Sequence, residues 1–154
     1  MRVEITNETR VRVPRSRIDV VARRAQHIFR LPKNTHIALA CVTDVVMQRL
    51  NTQTRGHHHP TDVLSFPLHE VHGKQSRAFS HLPADPDGTV HLGDVVISLP
   101  TAKKQARQLG HAVSEEIAEL FAHGVLHLLG YDHVRKNDAV RMAALSERLL
   151  SSGS

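Results

Sequence analysis

The chain has 154 residues, with 20 Lys and Arg, 15 Asp and Glu, and one cysteine, Cys41. A chain of this length can bury about 70% of its unfolded surface in one domain, and a single cysteine excludes an internal disulfide framework. No stretch approaches the ~20 apolar residues of a membrane span, and the N-terminus lacks the apolar segment of a secretory signal. The composition therefore predicts one cytoplasmic domain over 1–154, with a disordered tail at about 151–154.

Positive charge is concentrated at the N-terminus. Residues 1–31 contain eight arginines against three carboxylates, a local balance of +5, whereas the remainder has twelve Lys and Arg against twelve Asp and Glu. Clustered arginine suits a polyanionic partner, because its guanidinium forms paired hydrogen bonds with phosphate. A solvated helix face explains a net charge of this size equally well.

The first third of the chain alternates between strand and helix patterns. Residues 2–6 alternate in polarity and predict a strand. Residues 14–31 have apolar side chains at helical spacing between two prolines and predict a helix. Residues 36–42 predict a buried strand containing Cys41, which we expect to be a core residue. Thr43 or Asp44 is then expected to cap a short helix ending at Leu50, followed by a polar loop over 51–61.

The rest of the chain continues this alternation. Its predicted elements are a strand over 61–67, a loop over 69–89, a strand over 90–97, a helix over 99–109, a helix from Ser114 to Gly130 and a helix over 138–150. Ser98 is the expected cap of the first of these helices, and Gly110 is its expected end. The fold class is therefore α+β, with about four strands in a mixed sheet packed against about five helices.

Three histidines near the C-terminus, His123, His127 and His133, are separated by four and then six residues. Positions i and i+4 share a helix face, so the first two can present imidazole nitrogens to one ion. Gly130 can end the helix with a positive φ, which lets the chain turn back and bring the third histidine to the same point. Three neutral imidazoles leave the fourth tetrahedral position open, as in catalytic zinc sites. The spacing predicts one zinc ion per chain.

The same spacing occurs in the metzincin peptidases, His-Glu-x-x-His-x-x-Gly-x-x-His. Gly124 stands where those enzymes have the glutamate general base, which disfavours peptide hydrolysis unless Asp132, Asp62 or Asp94 folds close to the metal. An ion held by neutral ligands keeps its full charge and suits an anionic phosphodiester. Arg55, in the loop before the 61–67 strand, is a candidate to hold phosphate.

Three segments together resemble the YbeY family of bacterial metal-dependent endoribonucleases and ribosomal RNA maturation factors. They are Arg55 with Pro-Thr-Asp-Val-Leu-Ser-Phe-Pro at 60–67, Gly-Asp-Val-Val-Ile-Ser at 93–98, and His-Gly-x-Leu-His-Leu-Leu-Gly-Tyr-Asp-His at 123–133. These segments occur in the family's order, and a weaker likeness covers nearly the whole chain.

The resemblance implies a single-strand-specific, zinc-dependent endoribonuclease in 16S rRNA 3′-end maturation and ribosome quality control. The zinc ligands would be His123, His127 and His133, and the catalytic residues Arg55 and His127. Zinc-activated water would attack or polarise the phosphodiester while Arg55 holds the phosphate. The implied partners are the rRNA precursor, the small ribosomal subunit, a small-subunit ribosomal protein and an Era-type GTPase.

Three aspartates are further candidate site residues. Asp62 and Asp94 fall within the family motifs as candidate substrate-binding residues, but each can equally cap or orient backbone. Asp132 is a candidate to brace a metal-binding histidine. The run His57-His58-His59 departs from the family pattern; a solvated turn is its simplest interpretation, and adventitious metal binding is the alternative.

Other functions stay open. One alternative is a ribosome-assembly factor with mainly structural zinc, which the open fourth position argues against. Another is a zinc peptidase or amidohydrolase, which Gly124 disfavours. A small RNA-binding module without catalysis has less support, because base stacking needs aromatic side chains and the chain has only four Phe, one Tyr and no Trp.

Overall fold

The computed structural model describes residues 1–55, 61–69, 82–131 and 136–151, with only the backbone of Arg55 and Lys136. Four strands and five helices occur within these ranges. In chain order they are β1 (Arg2–Asn7), α1 (Arg15–Phe29), β2 (Thr35–Val42), α2 (Asp44–Arg55), β3 (Val63–Pro67), β4 (Val90–Ser98), α3 (Leu99–Leu109), α4 (Val113–Leu128) and α5 (Lys136–Leu150). The predicted α+β class is confirmed.

The strands form one mixed sheet in the order β1-β2-β4-β3. β1, β2 and β4 run parallel, and α1 supplies the crossover that two successive parallel strands require. β3 is antiparallel to β4 at the edge of the sheet. Pro67 is tolerated at the end of β3, because an edge strand has one side without ladder hydrogen bonds.

Both faces of the sheet are covered. The larger core contains fully buried side chains of α4, among them Ile117, Phe121 and Val125, with buried residues of β2, β4, α1 and α5. A smaller core on α2 centres on Met47, which belongs to one cluster with Val42 of β2, Leu64 of β3 and Val96 of β4. α4 is thus held against the strand pair β3–β4, and this positions the histidines.

Most predicted boundaries are confirmed within two residues, including the cap of α3. The Ser98 side chain accepts a hydrogen bond from the Thr101 backbone N–H, and Gly110 ends the helix with φ +73°. Cys41 is buried, as expected. Within the described ranges, no helix is both long and apolar enough to cross a bilayer.

The end of α2 differs from the prediction by more than two residues, and the start of α4 differs by one. α2 continues to Arg55 rather than ending at Leu50, because residues 51–55 contain no glycine or proline and Asn51 is buried. α4 begins at Val113 after Ala112, so Ser114 lies inside the first turn instead of starting the helix. The His57-His58-His59 run, most of the 69–89 loop and the last three residues of the tail lie outside the described residues.

Candidate metal centre

Two of the predicted metal ligands, His123 and His127, lie on the least buried side of α4. Glu115, Glu119, His123 and His127 recur every four residues there and retain solvent exposure, whereas most of the helix surface is buried. Four-residue spacing places successive side chains along one face of a helix. The packing of α4 against the sheet and neighbouring helices therefore fixes the direction of this partly exposed face, and the two histidines lie in its C-terminal half.

His123 and His127 approach each other through their Nε2 atoms, which are 3.1 Å apart. Their ring centroids are 4.7 Å apart with an interplanar angle of 66°. Two nitrogens bound to one tetrahedral zinc ion would be separated by about 3.3 Å. The two side chains thus fit a shared zinc ion without a change of helix geometry. The third predicted ligand, His133, lies outside the described residues.

The helix ends in the turn that the sequence predicts. Gly130 has φ +92°. Its N–H donates to the His127 carbonyl at 3.0 Å, and the Tyr131 N–H donates to the Leu126 carbonyl at 3.0 Å. This pair of bonds forms a Schellman motif. The Tyr131 ring packs 5.7 Å from the Phe29 ring of α1, which holds the direction in which the chain leaves α4.

Gly124, between the two histidines, faces the sheet. Its carbonyl accepts a hydrogen bond from Ser65 Oγ at 3.0 Å, and a Cβ at this position would lie 2.6 Å from Val95 Cγ1. There is no space for a side chain at position 124. The glutamate that metzincins place after the first histidine therefore cannot be accommodated here.

His123 and Asp62 line one cavity of about 380 Å³, together with the carboxylates of Glu116, Glu119 and Glu147. Asp62 Oδ1 accepts from the Val63 N–H at 2.8 Å, and Oδ2 accepts from Gln105 Nε2 at 3.3 Å. Asp62 thus shares a cavity with His123 while its carboxylate accepts hydrogen bonds from the start of β3 and from α3.

The remaining predicted site residues are not brought together by the described part of the chain. Asp94 lies on β4 between Ala38 of β2 and Phe66 of β3, with Oδ1 3.2 Å from His91 Nε2. Arg55 is the last residue of α2, and its side chain lies outside the described part of the structure, as does all of Asp132. Their predicted roles stay predictions.

Comparison with known proteins identifies the family. The family model described as Endoribonuclease YbeY matches residues 4–153. The chain belongs to the YbeY family. The Endoribonuclease YbeY of Heliobacterium modesticaldum is 43% identical over 118 residues, which are 77% of this chain and 69% of that protein. The Endoribonuclease YbeY of Moorella thermoacetica is 45% identical over 115 residues, 75% and 70% of the two chains.

A solved structure has a similar fold. The solution structure of TM1509 from Thermotoga maritima matches with a TM-score of 0.56 at 22% sequence identity. The match covers 96% of this chain and 88% of that one. At this identity the likeness concerns the fold alone, and it supports the α+β architecture.

The sequence prediction missed a second group that could hold a metal ion, formed by His111, Glu116 and Glu119. One potential ligand atom from each lies within 4.8 Å of the other two, and His111 Nε2 is 2.5 Å from Glu116 Oε2. The three-residue spacing of the glutamates on a predicted helix was a usable signal. His111 precedes the helix, so only the tertiary structure shows that it joins them.

Proposed function

We propose that this chain is a single-strand-specific, zinc-dependent endoribonuclease that acts in 3′-end maturation of 16S rRNA and in ribosome quality control. The observation that carries the proposal is the 3.1 Å approach of His123 Nε2 and His127 Nε2 beside a cavity. Membership of the YbeY family, whose matched relatives are named endoribonucleases, supports the reaction class.

The proposed ligands are His123, His127 and His133. A zinc ion bound there would supply an activated water and a positive charge that stabilises the phosphodiester transition state. The helix holds the first two imidazoles in place, since α4 is buried on its other sides. Gly130 starts the turn that would carry His133 toward them.

Arg55 is the proposed phosphate-holding residue. Its guanidinium can donate two parallel hydrogen bonds to phosphate oxygens, which orients the scissile bond as well as binding it. Asp132 is proposed to accept a hydrogen bond from a ligating imidazole and so fix its tautomer. Asp62 and Asp94 are proposed to contact substrate. The structure supports this role better for Asp62, because Asp62 lines a cavity together with His123.

The contact of Gly124 with Val95 favours this function over a zinc peptidase. A peptidase of the metzincin type needs a carboxylate on the residue after the first histidine to accept a proton from water. Position 124 points into the sheet and has no room for a side chain. Phosphodiester cleavage by positioning and charge stabilisation does not require a carboxylate at that position.

The proposal is tested by cleavage of a labelled single-stranded RNA that spans the 3′ end of the small-subunit rRNA precursor. We expect wild type to cut, His127→Ala to lose both zinc and cutting, and Arg55→Ala to lose cutting while keeping zinc. Chelator-stripped protein should regain activity when zinc is added. His27→Ala is the matched control, because this histidine is exposed on α1, and it should cut like wild type.

Cutting by His127→Ala and stripped protein at the wild-type rate would identify the activity as contamination. The zinc would then be structural, and an assembly factor would be the better hypothesis.

For the same function we propose the small ribosomal subunit, one of its proteins and an Era-type GTPase as partners. Co-sedimentation of the chain with small subunits, repeated with the GTPase present, tests this association.

A further inference from the structure

The His111–Glu116–Glu119 cluster has the dimensions of a coordination site. With all three donor atoms within 4.8 Å of one another, an ion at their centre would lie at most about 2.8 Å from each, so a small inward movement of the side chains would reach the ~2.0–2.6 Å bond lengths of hard divalent cations. The donors come from the first two turns of α4 and from the residue just before it, which α3 holds in place through the His111 N–H and the Ala106 carbonyl at 3.1 Å.

Among the described residues, the ion pairs of the cluster set two carboxylates, Glu115 and Glu116, against the single imidazole of His111. Glu116 is only 4% exposed, and burying a carboxylate is costly unless it is paired. His111 can carry at most one positive charge, yet Glu115 Oε2 and Glu116 Oε2 lie 3.7 Å and 2.5 Å from its two ring nitrogens.

The cavity beside the cluster is also lined by negatively charged side chains. Its wall contains Asp62 and Glu147 in addition to Glu116 and Glu119, and no Lys or Arg is among the described residues that line it. Among the described residues that line this space of about 380 Å³ are four carboxylate side chains and one imidazole, that of His123, which makes it a region of negative potential that attracts cations. A cation is therefore the complementary ligand.

We propose that His111, Glu116 and Glu119 form a second divalent-cation site, separate from the histidine centre, that binds Mn²⁺ or Mg²⁺. Carboxylate oxygens favour these hard ions, whereas a centre built from imidazoles suits zinc. His123 lies four residues after Glu119 and seven after Glu116, which is about 6 and 10 Å along the helix axis. His123 is not in the group of described side chains whose ligand atoms all lie within 4.8 Å of one another, so the proposed site uses a different set of ligands from the histidine centre.

A cation here has a consequence for RNA, and this step rests on the proposed nuclease function. A phosphodiester placed at His123 would meet the carboxylates of the cavity, and like charges at short range in a partly buried site repel strongly. A bound divalent cation would neutralise two of these charges. It would thereby allow the polyanion to approach the histidine centre.

The test is a Mn²⁺ titration followed by the electron paramagnetic resonance signal of the free ion, carried out without RNA. The same titration of the His127→Ala variant removes the contribution of the histidine centre to Mn²⁺ binding. We expect one Mn²⁺ per chain, displaced by Mg²⁺, in both wild type and His127→Ala. Glu119→Gln should weaken Mn²⁺ binding by at least about tenfold. Glu119 is solvent-exposed, so this variant should fold, and circular dichroism checks that it does.

Glu147→Gln is the matched control, since it removes one carboxylate from the same cavity without removing a proposed ligand. Its Mn²⁺ affinity should stay within about threefold of the parent's, as expected for a nearby screened charge. An equal loss of Mn²⁺ affinity in Glu147→Gln and Glu119→Gln would mean that the cavity attracts Mn²⁺ through its overall negative charge, and this would overturn the proposal. Absence of Mn²⁺ binding in wild type, or its loss in His127→Ala, would also overturn it, whatever the outcome of the RNA cleavage test.

Discussion

The hydroxyl of Ser65 donates a hydrogen bond to the carbonyl of Gly124 at 3.0 Å, which joins β3 to the helical turn between the two candidate zinc ligands. Ser65 is itself buried. The close approach needed for this bond is possible because Gly124 has no side chain, and Val95 of β4 fills the space that a Cβ would take. The sheet thereby sets the position of His123 and His127.

Gly124→Ala should lower the free energy of unfolding by about 1–3 kcal/mol, the range for overpacking a tight interior. The added methyl would meet Val95 Cγ1 at 2.6 Å, so the helix or the strand must shift. Urea unfolding monitored by circular dichroism measures the change. We also expect weaker zinc binding, because a shift of α4 moves both imidazoles.

Val95→Ala provides the control for this steric explanation. In a double-mutant cycle, Gly124→Ala should cost less in the Val95→Ala background than in wild type, because the obstructing methyl groups are gone. Additive effects of the two substitutions would show that the contact with Val95 is not the cause.

Gly130→Ala should weaken zinc binding as well as stability. A residue with a side chain costs about 1–2 kcal/mol in the left-handed region, and Gly130 has φ +92°. Relaxation of this strain changes the direction in which the chain continues toward His133. Zinc affinity measured by competition with a chromophoric chelator should fall, along with the unfolding free energy.

Gly110→Ala is the control that separates a loss of stability from a loss of zinc affinity. Gly110 ends α3 with φ +73° and has no atom within 4 Å of an added Cβ. This variant should lose a similar amount of stability while binding zinc as wild type does. If zinc affinity fell equally in both variants, the loss in Gly130→Ala would reflect general destabilisation rather than the turn.

Asp44 should make stability depend on pH. Hydrogen bonds from Ser98 and then Thr101 hold the pKa of Asp44 below its ordinary value of 3.8. Because the folded-state pKa is the lower one, the stabilisation is present above pH 3.8 and is lost as the pH falls through the folded-state pKa. Urea unfolding of wild type and Asp44→Asn should therefore differ at pH 7 and converge in acid.

Thr101→Val removes one of these donors, whose Oγ1 lies 2.7 Å from Asp44 Oδ1. In that background, Asp44→Asn should have a smaller effect at pH 7. An Asp44→Asn effect that is the same at neutral and acidic pH would contradict this account.

Cys41 should be unreactive in the folded protein. Burial raises the pKa of its thiol to about 11, and the thiolate is the reactive form. A chromogenic disulfide reagent at pH 8 should label Cys41 only after unfolding in urea. Ser16→Cys, on the exposed side of α1, should add one thiol that reacts at once. Rapid labelling of native wild type would mean that this core opens frequently.

The local features of the candidate site could be predicted from the sequence. The i, i+4 pair of His123 and His127, the turn at Gly130 and the cap at Ser98 each depend on a few neighbouring residues, and helix geometry relates their positions directly. The error at the end of α2 has a local origin too. Polar residues suggested a loop, although no helix-breaking residue occurs before Gly56.

The tertiary structure decided which distant segments meet. Spacing could not show that Asp62 lines a cavity with His123 while Asp94 pairs with His91, because both aspartates occur at similar places in strand motifs. The contact of Gly124 with Val95, and of His111 with Glu116, depends on how α4 packs against the sheet and α3. Such contacts are set by the burial of apolar faces far apart in the chain, and periodicity within one segment carries no information about its partner.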